Sequence, residues 1–121
     1  MKQQIWEYAR TELINVYDGD TITVSIDLGF YLHKKNVKIR LYGINTPEIR
    51  TKDKHEKTKG IAVRDWLRER LSKGKFSIKI VGKGKYGRWL GILYINGKNI
   101  VAEMIKKGLG EEYYGGSRKK S

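Results

Sequence analysis

Residues 36–48, NVKIRLYGINTPE, set the architecture. Val37, Ile39 and Leu41 alternate with Lys38, Arg40 and Tyr42, the period-two pattern of a strand with one face in a core and the other outside it. Pro47, the only proline in the chain, has no N–H to donate and ends the ladder. The stretch reads as a strand that carries Arg40 to its end and then turns through Asn45, Thr46 and Glu48.

The same alternation recurs on either side. Residues 6–28 read as two strands around a tight turn, with Thr11, Leu13, Ile14 and Val16 leading in and Ile22, Val24 and Ile26 leading out. Asp18-Gly19 supplies the turn, because glycine accepts a positive φ at little cost. Residues 50–59, RTKDKHEKTK, hold five basic and two acidic side chains and nothing apolar, which predicts a mobile, solvated loop. A helix follows with Ile61, Trp66, Leu67 and Leu71 on its apolar face, Val63 off that face, and an end near residues 72–74. KFSIKIV (75–81) and RWLGILYI (88–95) are the fourth and fifth strands, and Asn96-Gly97 closes a turn. KNIVAEMIKKG (98–108) is a second short helix, packed through Ile100, Met104 and Ile105 and stopped at Gly108.

Strand follows strand without the regular alternation that βαβ units need. The expected class is α+β, mainly β: a five-stranded OB-type barrel with two helices, an architecture that commonly binds nucleic acids and sugars. A chain of 121 residues is one domain, 1–114, with GGSRKKS at 115–121 read as a disordered basic tail.

Charge is the dominant bulk property. Lys and Arg number 26 against 13 Asp and Glu, a net +13, which favours polyanionic partners. Eight Tyr and three Trp add stacking surfaces, and no long basic amphipathic helix is evident, so nucleic acid is preferred to a membrane. No cysteine is present, which excludes disulfides and thiolate metal sites. The N-terminal residues lack an apolar signal core, which predicts a soluble, cytoplasmic protein.

Several chemistries can be set aside. GKGKYG (82–87) satisfies G-x-G-x-x-G and follows a strand, but a strand rather than a helix comes next, so it reads as a basic inter-strand loop. His33 and His55 have no second His or Cys at ligand spacing, so zinc is not expected. None of the five serines lies in a nucleophile elbow. Asp18, Asp20 and Glu48 offer the hard oxygens that Ca²⁺ or Mg²⁺ takes, at two strand ends that a barrel could bring together. Each turn alone is a weak signal, and spacing does not show that the two meet.

VYDGDTITV (16–24), IRLYGINTPE (39–48) and KYGRWLGILY (85–94), in that order and at those separations, resemble the staphylococcal nuclease (thermonuclease) family. The likeness runs over residues 10–114 and includes the helix after the third strand. It implies an OB barrel and Ca²⁺-dependent hydrolysis of DNA and RNA phosphodiesters, leaving a 5′-hydroxyl and a 3′-phosphate. It further implies that Asp20, Asn45 and the Thr46 carbonyl hold calcium and that Glu48 is the general base. Arg40 and Arg88 would grip the scissile phosphate, and Lys85, Tyr86 and Tyr114 would surround the terminal phosphate and base of a bound nucleotide. A metal and two guanidinium forks would offset the charge that gathers on the phosphoryl oxygens.

Two departures qualify that expectation. Asn45 stands where the best-known members have aspartate, which removes one negative charge from the calcium donors and predicts weaker metal binding. The family's long C-terminal helix is replaced by GGSRKKS. The expected protein is a monomeric nuclease acting on single strands or frayed duplex. The alternative is an OB barrel that holds single-stranded nucleic acid and cuts weakly or not at all.

Overall fold

In the strand at 36–41 the expected alternation is present: Val37, Ile39 and Leu41 are buried, Lys38 is exposed, and Arg40 is half-buried. The computed structural model describes residues 6–73 and 76–114, so the tail at 115–121 lies outside the described residues. The strands are β1 (Trp6–Asp18), β2 (Thr21–Gly29), β3 (Leu32–Leu41), β4 (Gly43–Asn45), β5 (Phe76–Lys83), β6 (Trp89–Ile95), β7 (Lys98–Asn99) and β8 (Glu111–Tyr113). The helices are α1 (Lys54–Ser72) and α2 (Ile100–Lys106).

The main sheet runs β3-β2-β1-β5-β6-β7, and a further pairing of β3 with β6 closes its first five strands into a barrel. That closure is parallel, through Ile39↔Trp89, Arg40↔Leu90 and Leu41↔Gly91, whereas every other pairing is antiparallel. It is the OB-type barrel expected from the sequence, with β7 outside it and a small β4–β8 pair beside it. Gly91 sits on the closing seam because a Cβ there would come within 3.0 Å of Ile39 Cγ2 and 3.3 Å of Ile78 Cγ2. The inward residues of β2, β3, β5 and β6 fill the barrel with Ile22, Val24, Ile39, Leu41, Ile78 and Leu93. Each such fully buried aliphatic side chain contributes about 1.5–3 kcal/mol.

Two irregularities in β1 change its reading. Register shifts between Leu13 and Asn15 and between Val16 and Asp18 break the alternation, leaving Ile14 exposed while Val16 stays buried. The second shift lies against the Asp18–Asp20 turn, and such bulges commonly re-aim side chains at barrel rims. Gly19 is not among the glycines of positive φ. Its small size is needed instead for close approach, since an added Cβ would lie 2.5 Å from Val63 Cγ1.

Helix α1 corrects the expectation for residues 50–59, because it begins at Lys54. Asp53 is its N-cap, accepting from His55 N at 3.0 Å and Glu56 N at 3.3 Å. Asp53 and Glu56 have the spacing of a capping box, a start signal that outweighs the lack of apolar residues in the first turns. The buried face is Gly60, Val63, Leu67 and Leu71, so Val63 lies on it, while Ile61 and Trp66 are half-buried at its margins. Gly60 presses against the turn after β4, where a Cβ would lie 2.7 Å from Pro47 O and 2.9 Å from Ile49 Cγ1.

Helix α2 is shorter than expected because residues 98–99 pair with β6 as β7, and Asn99 then caps the helix by accepting from Ala102 N at 3.0 Å. Ile100, Val101 and Met104 are buried, with Ile105 half-buried. Gly108 (φ +74°) stops it as the sequence implies: Gly108 N donates to Ile105 O at 3.0 Å and Leu109 N to Met104 O at 2.9 Å.

Gly60→Ala separates intrinsic helix propensity from packing. Propensity alone predicts a gain of about 1 kcal/mol. The contact with Pro47 predicts a net loss of about 1–3 kcal/mol in urea unfolding, and a gain would contradict the tight helix–turn contact.

Candidate active site

The two turns that sequence spacing leaves apart meet in the fold. Asp20 Oδ2 accepts from Thr46 N at 3.1 Å, and Asp20 Oδ1 accepts from the Thr21 hydroxyl at 3.2 Å. The Asp20 carbonyl also accepts from Leu41 N at 2.8 Å, which fixes the β1–β2 turn to the end of β3. One carboxylate therefore spans the turn DGDT and the turn NTPE.

Arg40 lies at the end of β3 and folds over the turn that follows. Its Nη1 donates to the carbonyls of Leu41 and Ile44, both at 2.7 Å, which locks the planar fork in place. Its Nη2 lies 3.4 Å from Asn45 Oδ1 and 3.6 Å from Asp20 Oδ2, so both oxygens converge on one cationic group. The Arg40 and Asp20 side chains are only 15% and 13% exposed, so this pairing is less screened than a surface ion pair.

Arg88 reaches the site through the barrel closure. It immediately precedes Trp89, the partner of Ile39 on the seam, so it is held next to the end of β3. The loop before it is a tight turn: Gly84 N donates to Arg88 O at 2.7 Å, and Arg88 N and Nε both reach Lys85 O at 3.3 Å. Tyr86 (φ +61°) and Gly87 (φ +74°) complete the reversal. The Arg88 guanidinium lies 5.7 Å from the Tyr86 ring centre, a cation–π arrangement that leaves Tyr86 88% exposed. The basic inter-strand loop read from GKGKYG is thus present, with no helix after it.

Arg40, Asn45, Glu48, Lys85 and Arg88 line a single open groove of about 770 Å³. Lys83 and Gly84 of the basic loop read from GKGKYG also line it, and Glu56, Leu90 and Tyr113, which were not singled out from the sequence, complete its walls. Glu56 was hidden in a run read as loop, and the Asp53–Glu56 capping spacing was the signal that could have placed it. Thr46 does not line this groove but a neighbouring pocket that shares Asn45 and Glu56 with it, and Asp20 is tied to the groove through Arg40 and Thr46. Tyr86 stands beside Arg88 at the rim. Tyr114 lines a smaller adjoining pocket of about 110 Å³ with Arg40, Tyr42 and Tyr113. Its ring lies 5.4 Å from that of Tyr42, and its hydroxyl donates to Glu112 Oε2 at 3.1 Å. That hydrogen bond to a carboxylate raises the Tyr114 pKa. His33 and His55 are both exposed.

Carboxylates concentrate on this side of a strongly basic chain. The Asp18 pKa is raised, first by burial and then by the negative charges of Asp20 and Glu48, while Arg64 and Arg88 oppose the shift. Three acidic side chains therefore share one local field, a setting that favours a cation. Among the described residues no cluster of three His, Cys, Asp or Glu could hold a metal, so any cation site here must draw on other oxygens. Asp20, the Asn45 amide and the Thr46 carbonyl are hard donors that fit calcium by type, with a single negative charge among them. Thr46 Oγ1 is buried with no hydrogen-bond partner among the described residues, a further oxygen lone pair at the same place.

The profile of the family described as "Staphylococcal nuclease homologue" matches residues 38–121. Over 88 residues the chain is 31% identical to "Probable endonuclease LCL3" of Yarrowia lipolytica (strain CLIB 122 / E 150), covering 69% of this chain and 39% of that protein. Over 117 residues it is 28% identical to "Protein ParB" of Escherichia coli, covering 89% of this chain and 59% of that protein. The chain spans less than two thirds of the length of either relative. The family match takes in Arg40, Asn45, Thr46, Glu48, Lys85, Tyr86, Arg88 and Tyr114, whereas Asp20 precedes it and enters the site through its bond to Thr46. With the matched range covering more than half the chain, and with the barrel and groove as described, this protein belongs to the staphylococcal nuclease family.

Proposed function

We propose that the chain is a calcium-dependent nuclease that hydrolyses phosphodiester bonds of DNA and RNA with little sugar or sequence specificity, as a monomer that prefers single strands. The observation that carries this reading is the convergence of Arg40 and Glu48, from the β3–β4 stretch and the turn after it, with Arg88, from the distant β5–β6 loop, on one groove. Family membership and the likeness to a probable endonuclease support the reaction class. Among the described residues no helix is long and apolar enough to cross a membrane. A cytoplasmic location remains part of the proposal.

The chemistry follows from the groups present. A phosphodiester in the groove places its non-bridging oxygens against the guanidinium forks of Arg40 and Arg88, which stay charged and donate in a plane suited to phosphate. The Arg40 fork is already held by the Leu41 and Ile44 carbonyls, so little reorganisation accompanies charge build-up. Glu48 follows Pro47, is exposed in the same groove, and accepts the proton of the attacking water. The new bond joins water oxygen to phosphorus, the bond to the 5′-oxygen breaks, and that oxygen takes up a proton. The products are a 5′-hydroxyl and a 3′-phosphate. Lys85 and Tyr86 meet the neighbouring phosphate and base, with Tyr114 behind Tyr113. Calcium, held by Asp20, Asn45 and the Thr46 carbonyl, would supply Lewis-acid stabilisation of the same phosphoryl charge.

A second reading, an OB barrel that binds single strands without efficient cleavage, draws on one observation: the calcium donors hold one carboxylate, because Asn45 is neutral. Incubation of the protein with labelled DNA and RNA, with calcium or with chelator, separates the two. Calcium-dependent products are expected, and binding without metal-dependent products would establish the second reading. Glu48→Gln and Arg88→Ala should each lower cleavage by about a hundredfold or more while leaving the protein folded. Unchanged rates in either variant would remove that residue from the mechanism. Asn45→Asp should shift the calcium titration of activity to lower concentration, and an unmoved midpoint would contradict Asn45 as a metal donor.

A further inference from the structure

The β2–β3 hairpin outgrows the barrel. Inward packing ends at Val24, Ile26 and Val37, and residues 28–36 are all exposed. At the boundary one residue of β2, Ser25, faces Lys35 and Asn36 of β3, a bulge in which Asn36 takes φ +58°. Beyond it the tip turns at Phe30 (φ +54°) and Tyr31 (φ +61°), between the paired residues Gly29 and Leu32. Such a turn favours Asn and Gly, and bulky aromatics there are strained. Phe30 is 95% exposed and Tyr31 is 100% exposed, so neither the core nor the turn geometry accounts for them.

The register of the seam shows where this arm leads. β3 and β6 run parallel, so the loop before Trp89, which carries Lys85 and Arg88, flanks the β3 residues before Ile39. Among the described residues Leu32–Lys38 pairs only with β2, leaving that edge of β3 open beside the loop. From Arg40 outward this strand carries exposed Lys38, Lys35 and Lys34 and ends at the aromatic tip. Lys38 shares the outer face with Arg40, Lys35 lies in the bulge opposite Ser25, and Lys34, paired with Ile26, is on the other face of the exposed arm. Repeated cations with aromatics beyond them match a nucleic-acid strand, whose phosphates repeat and whose bases stack. The cations continue back along the strand through Lys38 to Arg40 rather than ending beside the apolar tip, as a lipid-binding loop would need, and a second copy of a +13 chain is repelled.

We propose that the β2–β3 arm is a second contact for single-stranded nucleic acid, with Phe30 and Tyr31 stacking bases and Lys34, Lys35 and Lys38 tracking the phosphates that lead from the groove. This rests on the nuclease reading and extends it to long substrates. Eight residues at about 3.3 Å each put the tip roughly 25 Å from Arg40. A single strand kept stacked at the duplex rise of about 3.4 Å per nucleotide needs roughly seven nucleotides to span that distance, and a more extended one fewer. Short substrates fill the groove alone, whereas long ones reach the arm.

Fluorescence anisotropy in chelator, where nothing is cut, tests this with a labelled dinucleotide and an oligonucleotide of roughly fifteen residues. The double variant Phe30→Ala/Tyr31→Ala should weaken the long ligand about tenfold or more and leave the dinucleotide unaffected. Lys34→Gln/Lys35→Gln should weaken the long ligand and reduce the slope of log affinity against log salt by about 1.4, the value for two phosphates. Equal long-ligand affinity in wild type and tip variant overturns the arm, and calcium-dependent cleavage by the same preparations would then leave the nuclease reading intact. Loss of phosphatidylserine-vesicle binding, or of a concentration-dependent dimer, with oligonucleotide affinity unchanged overturns it in favour of lipid or a second copy. Absence of wild-type binding to the long oligonucleotide in chelator also overturns the arm, and the absence of calcium-dependent cleavage by the same preparation would overturn the nuclease reading beneath it.

Discussion

The parallel seam between Ile39–Leu41 and Trp89–Gly91 is the constraint on which the rest depends. Without it β3 lies at one edge of an open sheet and β6 near the other, with only the two-residue β7 beyond it, and Arg40 and Arg88 share no surface. With it, Arg40 and the residue just ahead of Trp89 stand at one rim, and a groove forms between segments far apart in the chain. Gly91 permits the closure by letting Ile39 and Ile78 pack where a side chain would stand. The same parallel direction places the β5–β6 loop beside the outer part of β3, so one pairing orients both the groove and the strand leading away from it.

A second constraint is electrostatic. A chain of net charge +13 brings Asp18, Asp20 and Glu48 within one another's field, with Glu48 lining the groove that holds Arg40, Lys85 and Arg88. Burial, and then repulsion from Asp20 and Glu48, raises the Asp18 pKa, so the arrangement works against stability once that carboxyl is ionised. Anions next to a phosphate site would also repel the ligand. A pure binding surface has no use for that opposition, whereas a hydrolytic site needs a proton acceptor and oxygen donors there. The Thr46 N–H bond to Asp20 holds one carboxylate in place, and the Leu41 and Ile44 carbonyls hold Arg40.

Much of the fold was legible because period-two alternation survives in β2, β3, β5 and β6, where one face is buried and the other is not. The reading failed where a different local rule intervened. Ile14 breaks the pattern at a bulge that no residue type announces. Val63 was assigned to the wrong face because Gly60, without a side chain, was not counted as part of the helix's contact surface. The first turns of α1 were read as loop because their stability comes from the Asp53 cap rather than from apolar periodicity. Of the site, Arg40 and Glu48 were visible as the two ends of one turn. Their meeting with Asp20 and Arg88 was not, because it is produced by long-range backbone pairing that the family resemblance could imply but local spacing could not show. Tyr113 enters the groove only through the β4–β8 pairing, and Glu56 through helix α1, whose start the Asp53 cap marks in the sequence.

The central claim is that the seam makes Arg40 and Arg88 act on one phosphate as a unit. A double-mutant cycle on kcat/KM, with Arg40→Lys, Arg88→Lys and both together, measures this directly under saturating calcium. Lysine keeps the charge and removes the fork, so the cycle reads geometry rather than net charge. The account predicts strong coupling, the double variant losing much less than the product of the single losses. Single losses that simply multiply would contradict it.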